Sequence, residues 1–173
     1  MSPSRRMAVA LALGLAASAC EAPAEPQADA TALTFKSMDM LDVADGRGVY
    51  VADRDGRETR VAFALPLDEV DPAHLHDSER LGETDAGVVV MIDRYASRAA
   101  PDGRCADGRE VWVRAFSLPE ARELLAVPAA SCRRGVRGGD PVATWTGDGR
   151  FRIEGATPRT YVIEGATAVR PAP

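Results

Sequence analysis

Cys105-Ala106-Asp107-Gly108-Arg109-Glu110-Val111-Trp112-Val113-Arg114-Ala115-Phe116-Ser117-Leu118-Pro119, returning at Ser131-Cys132, is the stretch whose reading decides the fold. Asp107-Gly108 is turn chemistry, because aspartate and glycine tolerate the conformations that tight turns demand. Residues 110–116 are rich in branched and aromatic side chains and read as a strand. Pro119 starts a turn, and residues 120–126 read as one short helix. Cys105 and Cys132 lie 27 positions apart, both beside turns. A bond between them closes strand, helix and return into one stapled unit.

Outward from this unit, residues 33–163 show mostly the period of two that marks half-buried strands. The run Val88-Val89-Val90-Met91-Ile92 is apolar throughout, which predicts a central strand buried on both faces. Gly48 to Ala52 and Thr59 to Leu65 flank Asp55-Gly56, a strong hairpin signal. Val142 to Thr146 and Arg150 to Ile153 flank Gly147-Asp148-Gly149 in the same way, and Tyr161-Val162-Ile163 reads as the last strand. Residues 66–81 read as a long polar connection, and Pro171-Ala172-Pro173 as a frayed end. Asp-Gly-Arg occurs five times, from Asp45, Asp55, Asp102, Asp107 and Asp148, and signals many hairpins. The Gly48–Pro66 and Gly87–Pro119 blocks echo each other, by duplication of a hairpin or by independent use of the same turn chemistry. The fold class is therefore mainly β, with α+β as the alternative: an antiparallel, hairpin-rich sandwich or partly open barrel with one short helix.

The chain has 173 residues, with 21 basic against 26 acidic ones. Ser4-Arg5-Arg6 is positive, Met7 to Ala17 is apolar, and Ala17-Ser18-Ala19 is a small-residue cleavage site, so residues 1–19 read as a signal peptide. The apolar run is far shorter than the roughly 20 residues needed to cross a bilayer. Ala17-Ser18-Ala19-Cys20 resembles a bacterial lipobox, with Ala17 where a large aliphatic residue is usual. The resemblance covers this segment alone. It implies lipid on the Cys20 sulfur, cleavage ahead of it and anchoring in the bilayer. Glu21 in place of aspartate implies the outer membrane, facing the periplasm. Ordinary signal peptidase cutting the same bond is the competing outcome. Ser4-Arg5-Arg6-Met7 leaves twin-arginine export as an alternative to general secretion. Residues 20–30 are then the lipidated N-terminus and a proline-containing tether that reaches at most about 35 Å. Residues 31–173 form a single β-rich domain. Removing Arg5 and Arg6 with the signal peptide leaves 19 basic against 26 acidic residues, a net charge of about −7. Such acidity argues against nucleic acid as a partner.

Lipidation of Cys20 leaves Cys105 and Cys132 as an even pair in an oxidising compartment, where a structural disulfide is expected. There is no C-x-x-C and no nucleotide-binding loop, Gly-x-Ser-x-Gly or His-Glu-x-x-His. His74 and His76 are secondary metal candidates, but no third ligand is specified and solvated loop histidines explain them. Arg133, Arg134 and Arg137, among Gly135, Gly138 and Gly139, are secondary anion-binding candidates, against a solvated turn. Asp53 and Asp55 begin no complete calcium loop. Trp112, Trp145, Phe63, Phe116 and Phe151 read as core and not as a ligand platform. No catalytic residue and no cofactor is expected. The first functional reading is an envelope-anchored, non-catalytic module that binds a protein or peptidoglycan. The alternative is a glycan-acting hydrolase with paired carboxylates.

Overall fold

The structure is a computed structural model that describes residues 34–42, 47–54 and 57–173, with side chains at 48–52, 57–71 and 77–173. These residues belong to one compact unit, Thr31–Pro173. They form eleven strands and no helix. Seven strands make the first sheet: β1 (Thr34–Asp42), β2 (Arg47–Arg54), β3 (Arg57–Ala64), β4 (Val70–Glu83), β5 (Val88–Ser97), β6 (Arg109–Ser117) and β7 (Arg122–Ser131). The second sheet contains β8 (Gly138–Gly147), β9 (Arg150–Gly155), β10 (Arg159–Glu164) and β11 (Ala168–Pro171). The first sheet runs β1-β2-β3-β7-β6-β5-β4 and curls into a half-barrel; the second runs β11-β10-β9-β8. All pairings are antiparallel except β3 with β7, which meet in parallel through one pair, Ala62 with Arg122.

The alternation of side chains on β5 and β6 builds two cores at once. Val88, Val90, Ile92, Val111, Val113 and Ala115 face the second sheet and pack with Phe151, Ile153, Tyr161 and Ile163. Val89, Met91, Tyr95, Trp112 and Phe116 face the inside of the curl, with Tyr50, Val61 and Phe63. The expected burial of the Val88–Ile92 run on both faces follows from this layering, and the named tryptophans and phenylalanines are core, Trp145 only partly buried.

Four expectations are corrected. Residues 120–126 are not a helix: Pro119 to Ala121 make a tight turn, with Ala121 at φ 50°, and β7 follows. The adjacent leucines that suggest a helical face lie at a bulge, where the register shifts from Ala115 opposite Leu125 to Phe116 opposite Glu123. Pairing along the buried β6 outweighs a weak local helix preference. The polar connection at 66–81 is largely strand β4, which reads as polar because it is an edge strand with side chains 77–80 exposed. Tyr161–Ile163 is not the last strand, since β11 pairs beyond it and Ala172 N–H donates to the Thr160 carbonyl at 2.8 Å. The turn read at Cys105–Gly108 is present, Gly108 N–H donating to the Cys105 carbonyl at 3.0 Å, but Asp107-Gly108 is not a hairpin turn with two left-handed residues; the left-handed residue there is Cys105, φ 64°. Asp148-Gly149 is such a turn, with φ 49° and 67° between β8 and β9.

Gly82 on β4 packs directly against Trp145 on β8. A β-carbon there would lie 2.3 Å from the Trp145 ring. Gly82→Ala is therefore expected to destabilise the domain by about 1–3 kcal/mol, by forcing Trp145 off its seat. Urea unfolding checks this, and an unchanged midpoint would contradict the packing.

Candidate functional site

The inner face of the half-barrel carries a buried chain of charged and polar groups. On β6 the inward positions are Glu110, Trp112, Arg114 and Phe116. Glu110 and Arg114 are 0% and 1% exposed. Arg114 stands opposite Met91 in the β5–β6 register, so its diagonal neighbour two residues on is Asp93, also 0% exposed. Arg114 Nε lies 3.0 Å from Asp93 Oδ2, and Arg114 Nη1 donates to Glu123 Oε1 at 2.5 Å. The β7 bulge makes the second contact possible. Without it, Glu123 would stand opposite Ser117 and point to the other face.

Asp93 accepts further bonds from the Tyr50 hydroxyl, from Ser78 Oγ at 3.0 Å and from the Tyr95 hydroxyl at 3.2 Å. Tyr50 is on β2, near one end of the first sheet, and Ser78 is on β4 at the other. These bonds therefore tie the two ends of the curl across its interior, where no backbone ladder closes it. Tyr50 also stacks on Phe63 and packs at a tilt against Phe116, at centroid distances of 5.0 and 4.7 Å. The Arg114 guanidinium lies 4.7 Å from the Phe63 ring centre and 5.4 Å from that of Trp112.

Burial pushes the Asp93 carboxyl up from its ordinary range and outweighs the attraction of Arg114 and the hydroxyl donors. Burial likewise raises Glu123, against the pull of Arg114. The Tyr50 and Tyr95 hydroxyls are raised by burial and by the Asp93 charge, so both stay protonated donors.

A second group lies along the same face. Glu110 Oε1 accepts from Ser97 Oγ at 2.6 Å and from the Arg133 N–H at 3.1 Å. Arg134 grips Glu69 through Nε at 2.7 and 2.8 Å, and its guanidinium lies 5.1 Å from the Trp112 ring centre. Trp112 thus sits between Arg114 and Arg134. The Cys105–Cys132 disulfide holds this end of the barrel, with Cα atoms 5.8 Å apart. Gly108 fits beside it because a β-carbon there would meet Cys132 Cβ and Ser97 Oγ at 2.8 Å.

Several open depressions lie around this frame, a small one of about 330 Å³ lined by Ala62–Ala64 and Glu123 among them. One, of about 390 Å³, runs between Val127–Ala129 on β7, the Arg134–Arg137 turn and the β9–β10 connection. Arg134, Arg137 and Arg159 line it, together with Glu154. Another, of about 400 Å³, is lined by Glu83, Asp85, Asp148 and Trp145. A further one, also about 390 Å³, lies at the disulfide and includes Arg133.

The three arginines expected to act together are therefore divided. Arg133 goes to the disulfide side, the Arg134 charge is engaged by Glu69, and Arg134 and Arg137 share one cleft with Arg159, which the sequence reading did not select. His74 and His76 lie in β4, but their side chains are outside the described residues, and no cluster of metal-ligating side chains occurs among the described residues. Cys20, Asp55 and the segments read as signal peptide and tether lie outside the described residues, as does the Asp53 side chain. The chain matches no family model, no curated protein and no solved structure. The buried chain was also missed. Its signal was Asp93 and Arg114, opposite charges set inside the two most apolar runs, where a charge needs a partner.

Proposed function

We propose that the protein is an exported lipoprotein, anchored in the outer membrane through acylated Cys20, whose domain binds an envelope protein or peptidoglycan without catalysing a reaction. The observation that carries the binding reading is the disposition of the carboxylates. Asp93, Glu123, Glu110 and Glu69 are each held by partners inside the domain. The cleft at 134–137 is instead lined mainly by arginines and apolar side chains, and its one carboxylate, Glu154, is paired with Arg152. Carboxylates committed to structural partners are poorly placed to exchange protons with a substrate. The disulfide supports export, since such bridges persist in oxidising compartments.

The second reading, a glycan-acting hydrolase, has one observation in its favour: Glu83, Asp85 and Asp148 share a depression with Trp145. It is the weaker of the two, because Asp148 is explained by its left-handed turn position and Glu83 pairs with Arg80.

The tethered protein, purified from its own membranes, should show an acylated N-terminal peptide by mass spectrometry, and Cys20→Ser should abolish membrane attachment. An unmodified Cys20 would remove the anchor. Capture from cross-linked envelopes should return one partner, or peptidoglycan, at constant stoichiometry. Release of soluble glycan fragments from purified cell wall, lost in Asp148→Asn, would establish the second reading instead.

A further inference from the structure

We propose that the cleft between the Arg134–Arg137 turn and the β9–β10 connection takes an aliphatic carboxylate of the kind that ends a peptide, its anionic group met by Arg137 and Arg159. The inference rests on the binding-module reading and names the ligand class. Arg137 and Arg159 are exposed, and neither has an acidic partner among the described residues, although the chain is acidic overall, with a net charge of −5. Other arginines are unpaired too; what distinguishes these two is that they line the same concavity. A guanidinium presents a planar fork that matches a carboxylate.

The walls supply the second half of the argument. Val127, Pro128, Ile153 and Tyr161 line the cleft beside the arginines. Val136, also on its wall, is 37% exposed and is the one large exposed hydrophobic side chain among the described residues. Val136 is not on a loose loop, because it forms an antiparallel bridge with Ser131, N–H to carbonyl at 2.9 Å in both directions. A fixed apolar side chain left open beside two unpaired cations suits a ligand with a carbon body and one negative end. Inorganic phosphate would leave the apolar wall wet. Its second charge would also face Glu154, whose own carboxylate is held by Arg152 at 3.1 Å.

Isothermal titration of the full chain with acetyl-alanyl-alanine, its C-terminal amide and inorganic phosphate tests this at low ionic strength. The free carboxylate should bind at least tenfold more tightly than either comparison compound. Arg137→Gln and Arg159→Gln should each weaken it about tenfold or more, and Val136→Asp similarly. All three positions are exposed, so an unchanged unfolding midpoint will show that the variants fold. Equal binding of the amide, tighter binding of phosphate, or full binding by both arginine variants would overturn the proposal. Loss of carboxylate binding with envelope capture intact would reject this cleft and leave the binding-module reading standing.

Discussion

Arg114→Ala is expected to cost the domain about 3–5 kcal/mol, because it leaves Asp93 and Glu123 facing each other's charge with no buried cation between them. A domain of this size is typically stable by only about 5–15 kcal/mol, so the variant should be close to unfolding at ambient temperature. The loss reflects stranded charge more than lost packing. The triple variant Arg114→Met, Asp93→Asn, Glu123→Gln keeps the Oδ1 acceptor for Tyr50 and Ser78 and presents an amide N–H to the Tyr95 hydroxyl, which then accepts, and should recover most of the stability. The pH dependence follows from the direction of the shifts. Both carboxyls are raised in the folded state, so their protonated forms favour folding below the ordinary carboxylate range. That contribution is lost as pH rises through the folded values. Removing Arg114, which pulls both carboxyls down, raises them further. The penalty of Arg114→Ala should therefore be smallest under acid and grow toward neutral pH. Urea titrations at several pH values measure it. A penalty that is flat in pH, or below about 1 kcal/mol, would mean that the ion cluster does not close the half-barrel.

Loss of the Cys105–Cys132 bridge is the second large effect, at about 2–5 kcal/mol for a loop spanning 27 residues. The closed loop contains all of β6 and β7, with Glu110, Trp112, Arg114 and Glu123 on it. Opening it frees the two strands that carry the buried chain, so reduction should lower the unfolding midpoint markedly. Cys132→Ser should do the same. Thiol titration of the folded protein should find neither cysteine of the pair reactive before reduction. Two reactive thiols, or an unchanged midpoint after reduction, would refute the bridge.

The mainly β class, the doubly buried β5 and the hairpin at Asp148-Gly149 were legible locally, since a period of two, an unbroken apolar run and turn chemistry each depend on near neighbours. The short helix was misread for the same reason. Its leucine pair and flanking glutamates suit either state in isolation, and only pairing with β6 selects the strand. The polar β4 was misread because an edge strand with an exposed face lacks the apolar pattern by which strands are recognised.

What the amino-acid sequence determined alone was class, turns and a cysteine pair at a spacing that can be bridged. The tertiary structure decided which charges meet. Asp93 and Arg114 come together because β5 and β6 pair in one register, Glu123 joins them because a bulge reverses the face it occupies, and Tyr50 reaches them because the sheet curls. It also separated Arg133 from Arg137 and brought in Arg159, 22 positions beyond Arg137 in the chain. Register, bulges and curl are set by the packing of the whole sheet, and no window of neighbouring residues contains them.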